Sequence, residues 1–356
     1  MEANQPAAAN PAITFGLQAL HQCRGVADTG RSAASDAGCF EQETTERIEM
    51  ESVSRFTQLP PVELGVRDES HARLRILFVC FACFVVMFHF DHSKTLIMSN
   101  LQAEDPLAVK VVRAIHSGEI EALQRLLVEY PDLATTRIVD AKGATCTLLH
   151  KAADWPGHFP NGARSVAIIA AAGGDASAPI MFLDSTKRDE TPLHWAASSD
   201  DVAVLDALLD AGADIEAPGA CIAGGTALDD AVAFGQWRAA HRLVDRGART
   251  AVWHSSALGL MDRVEAYFAG PKIPPLYPWG DSKGAALDAV TIAFWCACHG
   301  GQRPAAEYLL DRGAKMNWIS EWDELTPLDA AQRADATELI QWLRGRGAKS
   351  TKELSA

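Results

Sequence analysis

The chain has 356 residues, 48% of them hydrophobic, and a formal net charge of −14. That is enough apolar material to bury a core, either in two ordinary domains or in one long array. An acidic surface repels a phosphate backbone, which argues against nucleic-acid binding. Eight cysteines scattered at 23, 39, 80, 83, 146, 221, 296 and 298 are too sparse for a disulfide scaffold and read as reduced thiols of a cytoplasmic protein.

Residues 1–97 form an extension. Up to about position 72 it is rich in Ala, Ser, Glu, Thr and Gln without any sustained period, which predicts disorder. Ile76 to Phe88 is then an unbroken apolar run, closed by His89, Asp91 and His92. It is shorter than the roughly 20 residues that a spanning helix needs. Three readings stay open: a membrane-associating segment, a helix packed on the remainder, or a natural start at Met98 with everything upstream outside the native protein. Cys80 and Cys83 lie inside the run and are discounted as a redox pair.

From about 105 to 350 the texture becomes periodic, leaving 351–356 as a tail. Thr191–Pro192–Leu193–His194–Trp195–Ala196 is the sharpest motif, with degenerate copies at Thr226–Ala231 and Thr326–Ala331. Counted from a zero at Val109, Thr147, Thr191, Thr226, Thr250, Ile292 and Thr326, the residue at +5 is always small: Ala114, Ala152, Ala196, Ala231, Ser255, Ala297 and Ala331. Close approach of neighbouring helices requires this, because a larger side chain would overpack the seam. Gly212, Gly247, Gly313 and Gly347 stand at +21, where glycine ends a second helix in the left-handed conformation. Gly173 joins them if the second unit carries a five-residue insertion. Offsets +17 and +18 are mostly apolar and predict the buried rungs of the second helices, with Arg344 turning the last unit outward as a cap.

Two irregularities break the array. Residues 155–162 hold two prolines and two glycines and predict a loop between the helices of the second unit. Residues 271–283 form a second insertion, containing Pro274, Pro275, Tyr277, Pro278 and Trp279.

On these motifs the region resembles the ankyrin-repeat family, whose signature is T-P-L-H-x-A over about 33 residues. It is similar to bacterial-type members with divergent outer repeats. The resemblance implies an all-α solenoid of about seven stacked helix-turn-helix units with short finger turns. It also implies a concave face that binds another protein, with no catalytic residues and no cofactor. His150 and His194 then read as bridges between repeats. The sequence supplies no Gly-x-Ser-x-Gly, no His-Glu-x-x-His and no P-loop.

Offsets +4, +7 and +8 share one side of the first helix and should line that face. The predicted partner-binding residues are Trp155, His158, Phe159, Trp195, Asp230, Phe234, His254, Trp279 and His299. A metal or small-ligand site between the 155–162 loop and a strip of His254, Cys296 and His299 is the alternative, with His158 as a further ligand. A membrane-tethered adaptor using 76–88 is the third reading. Asp200–Asp201 and Asp229–Asp230 read as solvated acids.

Overall fold

The computed structural model describes residues 100–182, 190–222, 224–270 and 288–356, all within one compact unit. The extension, its apolar run and Trp279 lie outside the described residues.

Seven helix pairs follow one another. They are α1 Pro106–His116 with α2 Ile120–Glu129, α3 Leu148–Ala152 with α4 Gly162–Ala171, and α5 Pro192–Ser198 with α6 Val202–Asp210. Then come α7 Ala227–Ala233 with α8 Trp237–Asp245, α9 Val252–Ala257 with α10 Met261–Ala269, α11 Ala289–His299 with α12 Arg303–Leu310, and α13 Pro327–Arg333 with α14 Thr337–Gly345. The first helices pack in an unbroken row, α1 on α3, α3 on α5, and so on to α13. The +5 residues are what this row closes on: all seven are at most 3% exposed.

Caps set where the first helices begin. Thr147 and Thr191 each present their backbone N–H to the ring Nδ1 of the histidine three residues on, at 3.2 and 3.0 Å. Asp229 and Asp329 accept the same bond from Thr226 and Thr326. These pairs satisfy donors that a helix N-terminus otherwise leaves open. The second helices end as expected, with Gly173, Gly212, Gly247, Gly313 and Gly347 all at φ between 89° and 103°. At +17 Leu126, Leu208, Leu243 and Leu309 are buried, whereas the +18 side chains of the same helices, apart from Leu127, are only half-buried.

A further regularity escapes the sequence count. Nine residues after each zero, apart from the inserted second unit, stands a left-handed residue: Gly118, Asp200, Gly235, Gly259, Gly301 and Asp335, with φ between 51° and 69°. It turns the chain between the two helices of a pair. In the fifth unit this turn keeps the spacing counted from Thr250, but the helix itself starts one residue later. Ala251 is its cap, and His254 is therefore the third helical residue.

Strands are an addition to the all-α expectation. β1 Asn100–Gln102, β2 Arg137–Val139, β3 Ala144–Thr147 and β4 Met181–Phe182 form a small sheet in the order β1-β2-β3-β4, parallel for the first pair and antiparallel for the others. They are the fingers of the first repeats, extended enough to pair side by side. At the other end the chain adds a last helical turn, α15 Thr351–Leu354, in the segment read from sequence as a tail. Thr351 docks it by donating from N–H and Oγ1 to Asp329 Oδ2 at 2.7 and 2.8 Å.

Candidate functional site

The 155–162 insertion is fastened at both ends. Asn161 Nδ2 donates to Gly118 O in the first repeat at 3.0 Å, and the N–H of His158 donates to Asp201 Oδ2 in the third at 2.6 Å. Contact is close enough that a Cβ on Gly118 would lie 2.3 Å from Pro160 O. Phe159 stacks on His116, with ring centroids 4.1 Å apart. The loop therefore braces three repeats across their helix turns. His158 remains exposed, and Trp155 stays 40% exposed at the loop's start. Trp195 is half-buried nearby in sequence register. Its ring meets His150 edge-on at 5.1 Å, Lys151 Nζ lies 5.8 Å from its centre, and its Nε1–H donates to Glu190 Oε2 at 3.3 Å.

Toward the middle of the array the predicted strip closes. Asp230, Phe234, His254 and His299 are 0%, 3%, 4% and 6% exposed, so they cannot line a groove open to a partner. The reason is packing between helices. His299 reaches back to bond Val232 O at 3.0 Å, two repeats away. Trp237 then covers the imidazole at 5.0 Å. Burial holds His150 and His299 at a pKa of about 3, with the Arg333 charge a further depressing influence on His299.

The same bonds remove the predicted metal strip. His299 uses Nε2 on Val232 and faces Arg333 Nη2 with Nδ1 at 3.2 Å. His254 uses Nδ1 on the Ala251 N–H and Nε2 on Asp229 Oδ1. Cys296 is fully buried and burial pushes its thiol well up. His158 lies beside Asp201 instead, with its Nδ1 3.9 Å from Oδ1. These four side chains do not come together. Nor are the paired acids all solvated: Asp201, Asp229 and Asp230 are buried.

Among the described residues one group does converge: Glu190, Cys221 and Asp230, with one ligand atom of each within 4.8 Å of the others. Glu190 precedes the Thr191 cap, Cys221 sits in the finger between the third and fourth repeats, and Asp230 lies in the first turn of α7. Sequence separation hid the group, since no local spacing links 190, 221 and 230. A second aromatic cluster lies near the C-terminus. Trp322 contacts Trp295 and Trp318 at 5.0 and 5.3 Å, and Ile319 stands 40% exposed beside it.

Uniform helix pairs, each burying its core against the next, define a helical repeat solenoid. Residues 188–220 match the ankyrin-repeat family model, and the pairs on both sides carry the same caps and turns. The chain thus carries an ankyrin repeat at 188–220, a unit whose arrays generally serve as protein–protein interaction modules. In structure it is similar to the ankyrin repeat domain of human ASB11, at 19% identity over 69% of this chain and 91% of that one, with a TM-score of 0.39. No curated protein matches it in sequence. Among the described residues no helix is long and apolar enough to cross a membrane.

Proposed function

We propose that the array is a non-enzymatic adaptor that holds another protein on the side of its first helices, centred on Trp155 and Trp195. The observation that supports this is the exposure of Trp155. A large aromatic side chain keeps 40% of its surface in solvent while the loop that bears it is tied down on both flanks. Binding energy at protein interfaces concentrates on such tryptophans when they are held rigid. Lys151, Asp154 and exposed His158 supply a polar rim around them. The buried positions Asp230, Phe234, His254 and His299 belong to the scaffold of this reading, not to its contact surface.

The test places a photo-crosslinking amino acid at Trp155 or at Val128, a residue 81% exposed on the second-helix side. Adducts with one defined protein from position 155 but not from 128 are expected. Adducts from 128 alone, or equal labelling from both, would reject this face.

A further inference from the structure

Asp230 is fully buried, and its Oδ2 has no hydrogen-bond partner. Its other oxygen, Oδ1, accepts from Cys221 Sγ at 3.5 Å and from the Ile222 N–H at 3.3 Å. A buried carboxylate oxygen left without a partner is costly and calls for a compensating group. Glu190 makes the cost larger. The two side chains each bring a carboxylate oxygen within 4.8 Å of the other. Two carboxylates this close repel each other, and a cation between them relieves the repulsion.

The donor set discriminates between these compensations. A proton would pair the carboxyl groups and leave the sulfur of Cys221 only a weak S–H donor to Asp230 Oδ1. Magnesium and calcium are hard cations that take oxygen ligands, for which a cysteine sulfur is a poor donor. A thiolate with two carboxylates suits a borderline-soft, four-coordinate divalent ion. The Trp195 Nε1–H on Glu190 Oε2 also supplies the kind of outer hydrogen bond that fixes a metal-ligating carboxylate.

We propose that Glu190, Cys221 and Asp230 bind a zinc-class divalent cation, with a solvent molecule as fourth ligand. Binding releases the thiol proton of Cys221 and any proton shared by the carboxyl groups. The ion ties the finger bearing Cys221 to the first helix of the fourth repeat and to the residue ahead of the third repeat's cap. It thereby adds a second tie between two repeats that His194 already joins through Gly225 O.

The experiment uses the full chain, stripped with chelator and titrated with zinc and then with cobalt(II), beside Cys221→Ser and Asp230→Asn. One equivalent of zinc is expected in the unaltered chain, together with a thiolate-to-cobalt charge-transfer band. Both variants should weaken binding by about tenfold or more, since loss of an outer hydrogen-bond partner alone costs that much, and Cys221→Ser should abolish the band. Cys221 is only partly buried, so this variant decides the matter even if Asp230→Asn fails to fold. Zinc retained equally by Cys221→Ser would assign the ion to other cysteines and overturn the proposal. So would a titration that shows no binding to the unaltered chain.

Discussion

His254 Nε2 lies 3.0 Å from Asp229 Oδ1, and the two residues hold the same place in successive first helices. Each is the third residue of its helix and each accepts a backbone N–H from its own cap, Thr226 for Asp229 and Ala251 for His254. Burial works against the Asp229 carboxylate, but the bonds from His254 and Thr226 outweigh it and hold the group below its ordinary range. The pair replaces the contact used earlier in the array, where His150 and His194 bond the backbone carbonyls of Glu190 and Gly225 ahead of the next cap.

This pair should carry much of the coupling between the fourth and fifth repeats. His254→Ala and Asp229→Ala should each lower the unfolding free energy by about 1.5–3 kcal/mol, as for other buried hydrogen bonds to a charged group. The double variant should cost less than the sum by about 1 kcal/mol or more. Strict additivity in denaturant titrations would show that the two act independently.

Glycine substitutions should rank in an order opposite to that expected from backbone conformation alone. Gly300 has an ordinary negative φ, yet a Cβ there would lie 1.9 Å from Ala257 O, a backbone atom that cannot move aside alone. Gly212 has φ +90 but nothing within 4 Å. Gly212→Ala should therefore cost about 1 kcal/mol from the left-handed turn. Gly300→Ala should cost about 3 kcal/mol by overpacking the α9–α11 seam. Thermal midpoints of the two variants check this, and equal shifts would contradict it.

Stability should fall as the pH drops below neutrality. His150 and His299 are held neutral by burial down to a pH of about 3, while the unfolded chain takes up protons near 6.5. Their contribution is therefore complete above about pH 6.5 and is lost progressively between there and 3. The slope is at most about 1.4 kcal/mol per pH unit for each histidine. Asp229 and Asp329, whose carboxyls are held below the ordinary range, add a loss in the carboxylate window at lower pH. Denaturant midpoints at pH 7, 6 and 5 should decline steadily. His299→Gln should remove close to one proton from the linkage slope, and an unchanged slope would contradict the assignment.

Much of the architecture was legible because a repeat writes its packing rules many times over. The small residue at +5 and the glycine at +21 answer to local sterics, and seven copies of the one and four of the other made them visible. Less of the site was legible. Offsets +4, +7 and +8 do mark one side of each first helix, but whether that side is open depends on its neighbour. Trp155 and Trp195 keep solvent contact because the 155–162 loop is pinned over the helix turns instead of folding across them. Phe234 and His299 are sealed by their neighbours, His299 by the Val232 carbonyl and the Trp237 ring. His254 was assigned to the open side by counting from Thr250, and one residue fewer in that helix's start turned it into a bridge between repeats.

The amino-acid sequence by itself determined the repeat unit, its number and the conformations that end each helix, since these rest on contacts within about 35 residues. Only the tertiary structure decided which aromatic and titratable groups reach solvent. It alone brought Glu190, Cys221 and Asp230 to within 4.8 Å of one another. Burial and convergence of that kind depend on how far one stacked repeat covers the next, a distance relation that no spacing along the chain encodes.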